Sequence, residues 1–506
     1  MNGSMRKSPG QSGSICRACI LGAEILAGRT GFRGRLALFV LIGLLNIPTP
    51  RALSEDSPIR YGPASKSLQR TREPVTLESE KLAGFFHGEP LESVALYAYG
   101  HDGFRSIPFQ IDPIGADGLV IPGYVNRVRK KAVYDFIPNP DRPEHFTGRY
   151  QVLFMARDTG DRCAEGTLPA GFSKGLEIEV RDPLDGGMGW AYLLKPEGAP
   201  PAGTCPDYVD YRLIHENGGL SEQIRAKRYI TGFPDADKPF AYGCWVIPED
   251  AGGSGVNLLQ TFRVRVKIRI LFVNLDLDPK SAIVPYVLGY SDGPVRVSRR
   301  VYSSIVFKGI PMDRLMGEAR LEAESHYYSN FFYFDGEVSL PGFVKKISKV
   351  NAMFTTDFTS EAVGLTWYNS ANPGPDGCVV DGILSPQEQA LEQDPYLWSL
   401  LVGREGGWAN ILRMRSESIR SGMKLFYLDD NLLVDEKEPR LHGTWASTGY
   451  RMDRLDKAEE KLTFRTYIFA ISRDFKPEDA TGLIRLVYDP LEVGVSRVWD
   501  SGKEKG

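Results

Sequence analysis

Apolar and polar residues alternate with a period of two over residues 262–270. Phe262, Val264, Val266, Ile268 and Ile270 fall on one side, and Arg263, Arg265, Lys267 and Arg269 on the other. That period is the signature of a β-strand with one core face and one basic face. The phase then flips, with Leu271, Val273, Leu275 and Leu277 becoming the apolar set. A one-residue slip of this kind reads as a β-bulge. Further apolar runs of strand length lie at 295–307, 327–334, 350–358, 363–368, 411–415, 423–428 and 462–471. So many strands predict a large sandwich of two stacked sheets over 207–495.

Upstream, hairpin signals dominate. Runs 93–99 and 104–111 flank Gly100-His101-Asp102-Gly103, and runs 176–180 and 190–194 flank Asp185-Gly186-Gly187. Residues 150–156 form an apolar run short enough for a buried strand. Together they predict a small antiparallel β-sandwich over 82–206. Residues 55–81 lack apolar periodicity and read as an extended lead-in, and 496–506 as a tail. Helix is signalled once: Ser385-Pro386-Gln387-Glu388 supplies an N-cap, a proline at the first helical position and a capping-box glutamate. Pro395 behind Asp394 then breaks the helix and restarts it up to Gly403. The expected fold class is therefore all-β, a small antiparallel sandwich followed by a large double-sheet sandwich with a short helical insertion.

An apolar block at 36–47 changes where this fold is placed. It follows Arg29, Arg33 and Arg35 and stops at Pro48 and Pro50. A spanning helix needs about 20 residues, whereas the core of a secretory signal needs roughly 7 to 15. Ala52 and Ser54, two apart, suit cleavage after Ser54. An uncleaved anchor and a buried core segment are the alternatives. Export places the protein in the periplasm or outside the cell, with no membrane span after cleavage.

Removal of 1–54 takes seven Arg and Lys with Glu24 as the sole acid, and moves the net charge from −3 to about −9. Phosphate binding rests on clustered cations, so nucleic acid is disfavoured as a partner. The pair Cys16 and Cys19 leaves with the leader. Cys163, Cys205, Cys244 and Cys378 remain, and in an oxidising compartment disulfides are expected, with Cys163 to Cys205 favoured by proximity.

Candidate chemistry is sparse. Gly171-Phe172-Ser173-Lys174-Gly175 fits a nucleophile elbow, but a strand follows where a helix is required, so it reads as a turn. Asn274, Asp276 and Asp278 project from one side of a strand, and such oxygens suit Ca²⁺, although three ligands fall short of the 6 to 8 it takes. A solvated strand end is the alternative. Asp112, Asp117, Asp158 and Asp161 form a second acidic set. The six histidines are dispersed and no phosphate-cradling loop occurs, so no cofactor beyond Ca²⁺ is expected.

Trp367, Tyr368, Trp408, Trp445 and Tyr450 lie in or near Gly- and Asn-rich loops. They are either a sugar-stacking set or core. Sugar hydrolysis needs two carboxylates about 5 to 9.5 Å apart, for which Glu361, Asp376, Asp381, Asp429 and Asp430 are candidates. His326, beside Tyr327 and Tyr328, offers an acid or base for a lyase or mutarotase.

The segments IPFQID (107–112), VLFMARDTGDR (152–162), VRDPLDGGMGWAYL (180–193) and LGYSDGPVRVSRR (288–300) resemble exported bacterial proteins to which no activity is attached. The second unit is similar in layout to the large sandwiches of galactose-mutarotase-like proteins and some polysaccharide lyases. That layout carries no catalytic residue onto this chain. Two functions follow as expectations. The first is an exported binding or assembly module for an envelope protein or a glycan, favoured by the lack of a recognisable catalytic motif. The alternative is a carbohydrate-active enzyme, a polysaccharide lyase, hydrolase or mutarotase-like protein with an aromatic cleft. A groove on the large sheet with a carboxylate pair or His-Tyr floor would favour it.

Overall fold

The computed structural model describes residues 63–500 apart from 83, 129–133, 165–169, 201–205, 217–218, 235–241, 271–272, 278–282, 308–309, 312–319, 340–347, 371–376, 393–397, 415–422, 432–444 and 458–460. The signal reading, Cys205, Asp278, Asp376 and the Asp394-Pro395 break lie outside the described residues. Residues 61–506 form one compact unit. The chain is all-β, built from antiparallel sheets.

A three-stranded and a five-stranded sheet make the small sandwich. The first has the order Pro74–Glu78, Arg149–Met155, Phe109–Ile114, and the second Glu492–Asp500, Phe172–Arg181, Met188–Pro196, Ala95–Gly100, Gly103–Ser106. Alternate residues meet between them: Val75, Leu77, Val152 and Phe154 from one sheet against Leu176, Ile178, Val180, Ala191 and Leu193 from the other. Each of the Val, Leu, Ile and Phe side chains among them contributes about 1.5–3 kcal/mol by leaving water.

Several boundaries differ from the sequence expectation. The strand expected over 104–111 ends at Ser106, because Pro108 has no N–H for the ladder, and Phe109–Ile114 crosses to the three-stranded sheet. Residues 74–78 of the lead-in form a strand. Residues 496–500 of the tail belong to Glu492–Asp500, which pairs with Phe172–Arg181 and buries part of Val493 and Val495. The small sandwich thus draws on both ends of the described chain.

The large assembly is a twelve-stranded sheet with a five-stranded and a four-stranded sheet packed through one apolar core. Leu259–Ile270 lies in the five-stranded sheet. The phase flip after it is a hairpin, not a bulge: Ile270 pairs with Val273, Ile268 with Leu275 and Val266 with Leu277. Reversing direction over two residues puts positions three apart on the same face, which mimics one inserted residue. Residues 327–334 are likewise two strands, Arg320–Tyr327 and Phe331–Ser339, joined where the Tyr328 N–H donates to the Phe331 carbonyl at 2.9 Å.

The capping box forms as expected at the helix Pro386–Gln389. Glu388 N–H donates to Ser385 Oγ at 3.2 Å, and Ser385 N–H to Glu388 Oε2 at 2.7 Å. The helix does not restart up to Gly403, since Trp398–Gly403 is a strand of the twelve-stranded sheet. Both faces of that sheet are covered, so its strands read as continuous apolar runs that periodicity does not distinguish from helix. On the outer face, Leu483 and Val487 of the helix Ala480–Tyr488 pack with Leu400, Ile411 and Phe469, and Leu153 and Met155 of the small sandwich join them.

Candidate functional site

Between the twelve-stranded and five-stranded sheets the core leaves a cavity of about 50 Å³. Its walls follow from strand periodicity. Trp408, Asn410 and Leu412 lie at every second position of Gly406–Met414, Phe464, Thr466 and Ile468 do so in Lys461–Ile471, and Thr448, Tyr450 and Met452 face them from Ser447–Met452. Tyr242 and Trp245 close one side. Trp408 sits edge-on to Trp245 at 6.2 Å and to Phe358 at 5.6 Å. Trp245 donates its indole N–H to the Gly407 carbonyl at 3.1 Å.

Three lining residues carry buried polar atoms that bond to no described residue: Trp408 Nε1, Asn410 Oδ1 and Thr448 Oγ1. Buried polar groups are normally paired. A donor, an acceptor and a hydroxyl therefore stand unpaired in the walls of one small aromatic space. No carboxylate or cationic side chain is among the lining residues described.

A second cluster lies at the turn 381–383. Asp429, fully buried, accepts the N–H groups of Asp381 at 2.7 Å and Gly382 at 2.9 Å. Burial pushes its carboxyl up to about 7, with Glu388 and Asp381 adding repulsion against the backbone donors. Burial also raises Glu388. Trp367 stacks on Tyr427 at 4.2 Å beside this group. Gly382 has φ +80°, and a side chain there would come within 2.9 Å of Trp445, so the turn requires glycine.

This carboxylate has a definite effect on stability. Its folded value is raised, so the folded state binds the extra proton and stability falls as pH climbs from about 4 to about 7. Asp429→Asn keeps an acceptor oxygen and removes the titration. Urea unfolding at pH 5 and pH 8 is expected to show the variant gaining on the wild type by on the order of 2 kcal/mol across that interval. Parallel pH profiles for the two proteins would refute it.

His326 lies buried in the twelve-stranded sheet. Its Nδ1 is 3.0 Å from Ser298 Oγ, its Nε2 3.2 Å from Glu324 Oε2, and its ring 4.9 Å from that of Tyr333. Both ring nitrogens are therefore engaged, as in a satisfied structural histidine.

The aromatic set is divided by the fold. Trp408 and Tyr450 line the cavity, Trp367 and Trp445 border the turn cluster, and Tyr368 packs on the outer face of the large sheet. Trp367, Trp408 and Tyr450 are buried at 1%, 5% and 6% exposure, so they line enclosed space rather than surface. Asn274 and Asp276 stand on the strand Val273–Leu277, with Asp278 outside the described residues. The second acidic set is dispersed: Asp112 binds Arg296, Asp117 binds Arg300, Asp158 accepts from Tyr208 and Asp161 from the Lys66 N–H. Among the described residues no group of three or more His, Cys, Asp or Glu is placed to hold a metal ion.

Ser173 lies within the strand Phe172–Arg181, and Cys163, Cys244 and Cys378 are free thiols. No described helix is long and apolar enough to cross a membrane. Periodicity did not single out Asn410, Thr448 or Glu388. An amide between Trp408 and Leu412 on an inward-facing register was the available signal for the first.

Fold and cavity together define an all-β protein of stacked antiparallel sheets with an aromatic, partly polar space between two of them. No protein-family model matches the chain, and no curated protein matches it. Among solved structures it is similar to an alpha-mannosidase from Enterococcus faecalis V583, with 12% identity and a TM-score of 0.41 over 87% of this chain and 46% of that one. A protein in glycosyl hydrolase family 38 from Enterococcus faecalis matches with 10% identity and a TM-score of 0.35 over 87% and 48%. The chain spans about half the length of the structures it matches.

Proposed function

We propose that the protein is an exported envelope binding protein whose ligand is a glycan, held at the cavity between the large sheets. One observation supports the reading. The space combines aromatic walls, including Trp245, Trp408 and Tyr450, with unpaired polar atoms on Trp408, Asn410 and Thr448. Sugars carry apolar C–H groups beside hydroxyls, so a lining of rings and neutral polar groups matches them in kind. Titration with envelope-glycan fragments, followed by tryptophan fluorescence and calorimetry, tests it. Trp408→Phe and Thr448→Val are each expected to weaken binding about tenfold, equivalent to about 1.4 kcal/mol. Unchanged affinity in both variants would overturn the assignment.

The turn cluster supports a second reading, a carbohydrate-active enzyme. Asp429 and Glu388, whose carboxyls are both raised by burial, come together with Asp381 beside the Trp367–Tyr427 stack, and a protonated acid paired with a second carboxylate is what glycoside hydrolysis requires. Release of reducing ends from glycans, lost at least about a hundredfold in Asp429→Asn or Glu388→Gln, a span typical of general acid catalysis, would establish this reading. Absence of release by the wild type would end it.

A further inference from the structure

We propose that Arg72, Arg157 and Arg228 form an anion site at the junction of the small sandwich and the large assembly, and that it receives a phosphomonoester group. The site is separate from the inter-sheet cavity, so it stands or falls independently of the glycan-binding reading.

Three segments bring the guanidinium groups together. Arg157 sits on the turn Ala156–Asp158, which follows the strand Arg149–Met155 of the small sandwich. Its Nε donates to the Thr71 carbonyl at 3.3 Å, which sets it beside Arg72, and its guanidinium lies 5.7 Å from the centroid of the Tyr208 ring. Arg228 belongs to the turn between Gly219–Ala226 and Ile230–Phe233 in the four-stranded sheet. There the Lys227 N–H donates to the Tyr208 carbonyl at 3.2 Å, so Tyr208 touches both turns. Burial lowers the Arg228 guanidinium, and repulsion from Arg72 and Arg157 lowers it further against the pull of Asp250.

These cations have no ion-pair partner. Among the described residues no carboxylate pairs with Arg72, Arg157 or Arg228. Arg72 and Arg157 are exposed and Arg228 is half-buried, so the group is open to solvent. A guanidinium carries five N–H donors. Arg157 gives one to Thr71, Arg228 gives one to the Ala251 carbonyl at 2.9 Å, and Arg72 gives none to a described residue. Holding two carbonyls would occupy two of the three arginines and leave Arg72 without a task. A bound anion engages all three and offsets their mutual repulsion.

Charge and shape select the anion. Lys66 and Arg105 join the same network, and Asp158, Asp161 and Asp250 oppose it, which leaves a surplus of two positive charges. A phosphomonoester carries about −1.5 to −2 charges and three acceptor oxygens, so it balances the surplus and can meet guanidinium groups from three directions. A carboxylate has one charge and two oxygens in a plane, which one fork already satisfies. A nucleic acid would extend beyond the site over a chain whose net charge is −3.

The test uses the full chain at about 0.15 M salt, where charges more than about 8 Å apart are screened. Calorimetry with inorganic phosphate, glucose 1-phosphate, glucose and glucuronate is paired with flotation on phosphatidylcholine vesicles with and without phosphatidic acid. Phosphate probes should bind at least about tenfold more tightly than glucuronate, and glucose should not bind. Arg72→Gln and Arg228→Gln should each weaken phosphate binding about tenfold, the loss of one charge-assisted bond. Arg72 holds no described side-chain bond, so its variant folds as the wild type does, which thermal melts check. Arg149→Gln, at the opposite end of the strand that precedes Arg157, should leave binding unchanged. Binding of glucose 1-phosphate without vesicle flotation supports the site with a soluble phosphate as its source, and flotation that depends on phosphatidic acid supports it with a lipid headgroup. Equal weakening by Arg149→Gln, glucuronate binding as tightly as glucose 1-phosphate, or no response to any phosphate-bearing probe would overturn the proposal.

Discussion

Glu222→Ala is expected to destabilise the protein by about 3–5 kcal/mol, the usual consequence of stranding a buried charge. Glu222 belongs to the four-stranded sheet and is fully buried, and Arg299 of the twelve-stranded sheet is 1% exposed. The guanidinium donates twice to the carboxylate at 2.6 Å and lies 3.8 Å from the centroid of the Phe233 ring. Tyr211 donates its hydroxyl to Glu222 at 2.8 Å, and Tyr134 donates to the other oxygen. Alanine would leave one buried cation and two phenols without their acceptor. Since a domain's net stability is about 5–15 kcal/mol, urea unfolding should show a large fall in midpoint. Glu222→Leu combined with Arg299→Met removes both charges and should recover much of the loss, because an apolar pair of similar volume needs no desolvation. A loss below about 1 kcal/mol in the single variant would contradict the buried-pair argument.

The sequence disclosed elements marked by a local pattern and concealed those without one. Residues 262–270 announced themselves by strict alternation of apolar and basic positions, and the 176–194 hairpin by its Asp185-Gly186-Gly187 turn, although both faces of that hairpin are buried, Ala191 and Leu193 in one core and Trp190, Tyr192 and Leu194 in another. The capping box at Ser385 was legible because its chemistry is local, spanning four residues. Trp398–Gly403 was not, since a sheet covered on both faces removes the alternation. The reversal between the strands ending at Ile270 and beginning at Val273 was hidden for a different reason: a reversal of direction and an inserted residue produce the same parity change, and only the pairing of Ile270 with Val273 separates them.

Site legibility follows the same division. Periodicity shows that Trp408 and Asn410 share a face, but not that Thr448 of another sheet lies across from them. Asp381 and Asp429 were both candidates, yet 48 residues separate them, and a backbone N–H from one to the carboxylate of the other is visible only in the fold. The glutamate that joins them, Glu388, was read as a helix cap, and it is one.

Asp112→Asn should have the next largest effect, about 3 kcal/mol, and a pH dependence opposite in sign to that of Asp429. Asp112, on Phe109–Ile114 of the small sandwich, is fully buried against Arg296, the residue preceding the strand Val297–Phe307 of the large sheet. Arg296 Nη2 donates at 2.5 Å, Gln110 Nε2 at 2.9 Å, and Arg142 stands at 3.5 Å. Burial alone would raise this carboxyl, but Arg296, the Gln110 bond and Arg142 outweigh it and hold the group below the ordinary carboxylate range. A depressed folded value means the stabilisation is complete above about pH 4, the ordinary value for aspartate, and is lost as pH falls through the folded one. The asparagine variant lacks this term, so its deficit against the wild type should be full at pH 7 and shrink below about pH 4. Because the pair ties the small sandwich to the large sheet, amide exchange in Phe109–Ile114 should rise more than in Phe262 to Ile268 of the large core. A deficit that stays constant down to pH 3 would show that folding does not depress the Asp112 carboxyl and would refute the ion-pair argument.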